Sequence, residues 1–142
     1  MQVPEIRAKA RTKYEFDNFT FDSKHELCYY IWLRDHHVCF VFKPNASFSY
    51  VVDGKQHFYM PDFIVDGQYV EIKGDHFFKD DGTMQNPYDH SLDYLYEAKR
   101  QCMLTNGVKI IKQSECDKYV NYVIETYGNY YWKKFKLNAK CT

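Results

Sequence analysis

The stretch Tyr59-Met60-Pro61-Asp62-Phe63-Ile64-Val65-Asp66-Gly67-Gln68-Tyr69-Val70-Glu71-Ile72-Lys73-Gly74 reads as two short β-runs joined by an Asp-Gly turn. With Asp66 and Gly67 as the central residues of a two-residue hairpin turn, Val65 opposes Gln68 and Asp62 opposes Glu71. Directly opposed residues sit with Cβ atoms about 4.5–5.5 Å apart, and like charges in that position destabilise a sheet. A positive group is therefore expected between the two acids. Lys73, two residues past Glu71, points to the same face by strand periodicity. The stretch thus offers two hard oxygen donors and one ammonium to one patch, a set that suits a magnesium ion with a lysine beside it.

The chain around this hairpin has 142 residues, enough for one domain over 1–142 with a real core. Aromatic residues make up 19%, with fourteen tyrosines, which suit half-buried positions where one end of the ring stays wet. No apolar run approaches the roughly 18 residues of a membrane span, and the N-terminus lacks the apolar core of a signal peptide. The expectation is a cytoplasmic protein with no membrane partner. Five cysteines, Cys28, Cys39, Cys102, Cys116 and Cys141, are odd in number and form no CxxC pair, which argues for free thiols in a reducing compartment. His25, Cys28, His36, His37 and Cys39 lie near one another in sequence, but without paired ligand spacing they read as buried thiols and surface histidines rather than a zinc site.

The formal net charge is zero, unevenly distributed. Residues 1–15 carry an excess of two positive charges, and residues 130–142 carry four lysines and no acid, so the middle is acidic. Basic ends around an acidic centre suit a protein that grips phosphate at its margins and holds a cation in its middle. Residues 1–13 read as a basic arm and 130–142 as an aromatic and basic tail, whose Lys133, Lys134 and Lys136 are candidates for nucleic-acid contact. Docking of the tail aromatics on the core is the alternative.

Upstream of the hairpin, Tyr14 to Phe21 alternates apolar and polar residues, compatible with a strand or an extended lead-in. Ser23 then caps a helix running to about His36, with Glu26 at the position that completes a capping box. Val38 to Phe42 reads as a strand, and Phe48 to Val52 and Gln56 to Tyr59 flank another hairpin signal at Asp53-Gly54, so residues 38–73 are expected to form an antiparallel meander. Pro61 belongs at a strand start, an edge or a bulge. Downstream, residues 75–90 read as a long loop able to cover a substrate groove. Asp80-Asp81-Gly82 lacks the spacing of a calcium loop. Ser91 is expected to cap a helix over residues 92–106, with Lys99 in line with core-facing residues and Gly107 as its stop. Residues 108–111 read as a strand parallel to 69–73 across that helix, a βαβ crossover. Ser114 and Asp117 open a last helix that ends at Gly128.

The run Phe21-Asp22-Ser23-Lys24-His25-Glu26, followed by Tyr-x-Pro-Asp-Phe at 59–63 and Glu-Ile-Lys-Gly at 71–74, resembles the PD-(D/E)XK nuclease superfamily, closest in style to small phage endonucleases and junction-resolving enzymes. The resemblance covers residues of about 16 to 111. It implies an α/β fold, a single-domain restriction-endonuclease-like core whose mixed sheet, an antiparallel meander plus one parallel βαβ crossover, is flanked by helices. It implies a Mg2+-dependent endodeoxyribonuclease, with Mn2+ able to substitute and no small-molecule cofactor. Glu26, Asp62, Glu71 and Lys73 would be the catalytic set, with the metal on Asp62, Glu71, the backbone carbonyl of Ile72 and Glu26, the last directly or through water. Lys99 and Gln101 fall near polar helix positions that contact nucleic acid in some relatives. The implied partners are DNA, branched or Holliday-junction DNA foremost, and a second copy in a homodimer. Alternatives are a sequence-specific or transposition-associated nuclease on the same core, and a binding module that keeps the fold without cutting.

Overall fold

In the computed structural model, residues 12–137 are described; most of the expected basic arm, and residues 138–142 of the tail, lie outside them. Three hairpin turns set the pattern. Asp66 and Gly67 both have positive φ, 48° and 82°, as do Asp53 and Gly54 at 52° and 73°. These are the mirror-image turns whose twist matches the flanking strands, and the Asp-Gly pair tolerates them. Asp17 and Asn18, at 51° and 65°, form a third such turn inside the stretch read only as alternating. Asn tolerates the left-handed region nearly as well as Gly, so that lead-in is a hairpin of β1 (Tyr14–Phe16) and β2 (Phe19–Phe21).

Helix α1 (Lys24–Asp35) begins at the expected cap, with the Ser23 Oγ accepting the Glu26 N–H at 3.1 Å, but the reciprocal half of the capping box is not made, because the buried Glu26 side chain turns toward Asp62 and Glu71 instead. Next come β3 (Phe40–Phe42), β4 (Phe48–Val52), β5 (Lys55–Tyr59), β6 (Phe63–Val65) and β7 (Gln68–Lys73). The β6–β7 register is the expected one, Val65 opposite Gln68 and Phe63 opposite Val70. The crossover is also present: α2 (Asp93–Thr105) leads to β8 (Lys109–Lys112), which pairs parallel to β7 from Val70–Lys109 to Lys73–Lys112. The last helix, α3 (Asp117–Tyr127), stops at Gly128. The result is an α/β fold with a mixed four-stranded sheet in the order β3-β6-β7-β8 and three α-helices among the described residues.

The continuous meander is not formed. β3 pairs with β6, Phe42 opposite Phe63, while β4 and β5 make a separate two-stranded sheet. The reason is local: Lys43 takes a left-handed φ of 49° that turns the chain out of the sheet, and Pro61, with no N–H to donate, separates β5 from β6. The excursion packs against α2 instead. The cap of α2 also differs. Ser91 sits in a short 3-10 turn bonded to Asp89, and the helix starts at Asp93. Ser114 does not open α3 either; its N–H donates to Asp75 at 2.8 Å, tying the start of the 75–90 segment to the chain after β8.

Side-chain alternation splits the core into two clusters across the sheet. Val70, Ile72, Phe63 and Ile111 join α1, α3 and the first hairpin on one side. Tyr69 and Ile110 join the β4–β5 hairpin, α2 and the 75–90 segment on the other. That segment is less of a free loop than its composition implies, because Phe77 and Met84 are buried in the second cluster and Phe78 bridges to Met84. The tail docks as well: Trp132 is buried against the first cluster, and Lys136 pairs with Tyr14. We expect Trp132→Ala to cost about 3–5 kcal/mol, read as a lower urea midpoint, whereas Phe58→Ala on the outer face of the β4–β5 hairpin should stay within about 0.5 kcal/mol.

Candidate active site

The β6–β7 ladder ends at the Phe63–Val70 pair, and immediately beyond it the chain carries Asp62 on one side and Glu71 on the other. Released from the ladder, Asp62 turns its Oδ2 to accept the Ile72 N–H at 3.0 Å. In an extended strand a residue presents its N–H and C=O to the same edge, so the Ile72 carbonyl is directed to the Asp62 side. Glu71, only 5% exposed, accepts a hydrogen bond from the Tyr59 hydroxyl at 2.8 Å through Oε1. Glu26 arrives from the first turn of α1, 4% exposed, and its Oε1 has no hydrogen-bond partner.

The electrostatics follow from this crowding. Burial holds Asp62 well above the usual carboxylate range, the charges of Glu71 and Glu26 add to the rise, and the Ile72 N–H opposes it. Burial likewise pushes Glu26 up to about 7, with the charges of Asp22 and Glu71 adding and an Asp22 backbone hydrogen bond and Lys43 opposing. Buried like charges of this kind are tolerated when a cation or a proton joins them. The orphaned Glu26 Oε1 and the convergent pair Asp62 and Glu71 fit a divalent cation. Among the described residues, no group of three or more His, Cys, Asp or Glu side chains is spaced to enclose an ion by itself. Magnesium commonly uses one or two carboxylates and keeps several waters, so the pair remains an adequate donor set.

The acids open onto a groove of about 500 Å³. Lys73 and Lys99 line it, with Lys24 and His25 from α1 and His76 and Tyr88 from the 75–90 segment. The Lys99 Nζ stands 5.6 Å from the Tyr59 ring centroid and the Lys73 Nζ 4.3 Å from that of Phe77. Gly74 has an ordinary φ of −63°, but a Cβ there would come within 2.5 Å of the His76 ring, so its lack of a side chain lets that ring fold over the strand end. Of the residues expected at the site, Glu26, Asp62, Glu71, Ile72, Lys73 and Lys99 line this groove and Gln101 does not; the Gln101 amide donates to Glu97 at 3.0 Å. Lys133, Lys134 and Lys136 do not line it either. Burial of Trp132 carries that turn onto the core, where the Lys133 and Lys134 ammonium groups lie over the Tyr130 and Tyr131 rings.

Several groove residues carry no sequence signal. His25 is weighed in sequence as a ligand only together with Cys28, Cys39 and the nearby histidines, yet Cys28 is buried in the core and Cys39 is exposed, so no thiol–imidazole cluster forms. The imidazole instead lines the groove, with burial holding it below its ordinary value. Tyr59 lies inside the motif stretch, but its contact with Glu71 depends on the side chains meeting in space. No helix among the described residues is long and apolar enough to cross a membrane. Comparison with protein-family models, with curated proteins and with solved structures gives no match.

The raised Glu26 carboxyl has a consequence for stability. Its ordinary value is 4.5, so the unfolded chain releases this proton at lower pH than the folded protein. The folded state binds the extra proton between pH 4.5 and about 7, and stability falls as pH rises through that window. Glu26→Gln, which keeps the neutral form, is expected to stabilise the metal-free protein at pH 8 by about 3 kcal/mol. That gain should shrink toward zero near pH 4.5, as thermal melts in EDTA would show.

Proposed function

We propose that this chain is a metal-dependent endonuclease that hydrolyses phosphodiester bonds in DNA, on a restriction-endonuclease-like core of the PD-(D/E)XK type. The main support is the convergence of the buried carboxyl groups of Glu26 and Glu71 with the partly buried one of Asp62 in an open groove that Lys73 and Lys99 also line. Buried acids without a cation are costly, and acids beside ammonium groups in an open groove suit a phosphate substrate more than a packed core.

Asp62, Glu71 and the Ile72 carbonyl would hold Mg2+, with Mn2+ able to replace it and Glu26 reaching it through water. When bound, such an ion acidifies a water and neutralises charge at the phosphate. Lys73 would orient the attacking water and donate to a non-bridging oxygen as negative charge builds there. Lys99 would hold a neighbouring phosphate. The water gives up one proton to solvent as its oxygen bonds to phosphorus, the bond from phosphorus to the 3′-oxygen breaks, and the 3′-oxygen takes a proton back from solvent, leaving a 5′-phosphate and a 3′-hydroxyl. Branched DNA and a homodimer that cuts two strands together follow from the same reading.

Linear, supercoiled and four-way-junction DNA incubated with Mg2+, Mn2+ or EDTA test it. Cutting should require the metal and fall by about 10²–10³ in Asp62→Ala and Lys73→Ala, with both variants folded. Lys99→Ala should weaken DNA binding and lower the salt slope by about one. Binding with no metal-dependent cutting on any of the three substrates would leave a non-cutting module.

A further inference from the structure

We infer that Tyr59 is a positioning residue for Glu71: its buried hydroxyl fixes one carboxylate oxygen so that the other is held ready for the cation. The inference rests on the metal-dependent reading of the site and adds to it a residue outside the four acidic and basic groups. Each carboxylate of the central pair is pinned through one oxygen by one donor. Asp62 is held by the Ile72 N–H at 3.0 Å, and Glu71 by the Tyr59 O–H at 2.8 Å. Beyond these two donors the carboxyl groups of Asp62 and Glu71 lie within hydrogen-bond reach of one another, the contact that a bridging cation would replace.

Glutamate has one more rotatable bond than aspartate and, unlike Asp62, has no bond to its neighbour's backbone here. Facing the charges of Asp62 and Glu26, an unpinned Glu71 would swing away from them. The phenol prevents this because it is itself immobile. Tyr59 is 2% exposed, it pairs with Phe48 across the β4–β5 hairpin, and it lies in the second apolar cluster with Cys102 and Met103. The hairpin that leaves the main sheet thereby brings a rigid hydroxyl back to the end of β7. The Lys99 ammonium over the face of the same ring couples Tyr59 to the groove wall as well.

A buried tyrosine needs a partner for its hydroxyl whatever its role, so the test must separate positioning from packing. Mn2+ binding to the DNA-free protein, followed by the electron paramagnetic resonance signal of free Mn2+, does this for wild type, Tyr59→Phe, Phe48→Leu and Asp62→Ala, with thermal melts in EDTA alongside. Tyr59→Phe should bind Mn2+ about tenfold more weakly while remaining folded. The Mn2+ concentration for half-maximal cutting should rise by a similar factor, and turnover at saturating Mn2+ should return to near the wild-type rate. Phe48→Leu, which loosens the same packing but keeps the hydroxyl, should lower the melting temperature and leave Mn2+ affinity unchanged. Equal Mn2+ affinity in wild type and Tyr59→Phe overturns the inference alone, and so does a loss in Phe48→Leu as large as that in Tyr59→Phe. Wild type that binds no Mn2+, or binds it no better than Asp62→Ala, overturns the metal-dependent reading itself.

Discussion

Where the β6–β7 ladder stops, the carboxyl group of Asp62 faces those of Glu71 and Glu26, the last two buried. Mutual repulsion of buried acids works against such an arrangement, so it persists only because the surrounding fold over-determines it. Asp62, just beyond the hairpin ladder, is fixed by the Ile72 N–H, Glu71 by β7 and the Tyr59 hydroxyl, and Glu26 by the capped first turn of α1. The strain shows in the upward shift of Asp62 and Glu26 and in the unpartnered Glu26 oxygen. The rest of the chain can be understood as the means of holding these groups together beside an open groove.

Two apolar clusters back the sheet from its two sides and carry different loads. The α1 and α3 side is dense with aromatic edge-to-face contacts, such as Tyr29 with Phe63 and with Tyr119, and it orients Glu26. It also absorbs the basic tail through Trp132, which is why Lys134 and Lys136, which look like part of a nucleic-acid clamp in the sequence, end up along a separate surface with Glu15 and Asp17. The α2 side brings Lys99 and, from the 75–90 segment, His76, Phe77 and Tyr88 to the groove, with Tyr59 buried behind them. Short bonds through Asp75 to Ser114 and through Glu97 to the Met84 N–H keep that segment in place despite its loop-like composition.

Much of this architecture can be read along the chain. The Asp66-Gly67 turn sets a register, so counting brings Asp62 and Glu71 to the same end of the hairpin, but the ladder stops one pair short at Phe63–Val70 and the expected Asp62–Glu71 pair does not form within it. The Ser23 cap and the crossover from β7 through α2 to β8 rest on equally local rules. The third turn at Asp17-Asn18 obeys the same physics but lacks the glycine that advertises it. The partner of β3 could not be read, because strand adjacency depends on where Lys43 sends the backbone.

Short-range chemistry along the chain is enough to specify the local geometry of the site: a hairpin of known register, a capped helix carrying Glu26, and a lysine on the acid-bearing face. These depend on neighbours within a few residues, where turn type and side-chain alternation leave few choices. Long-range packing settles the rest. It sets Glu26 against Glu71, brings the Tyr59 hydroxyl to the same carboxylate from a separate hairpin, and admits Lys99 to the groove while excluding Gln101 and the tail lysines. Those outcomes depend on how the two apolar clusters pack, which sums weak contacts between segments far apart in the chain and leaves no local mark at the residues it brings together.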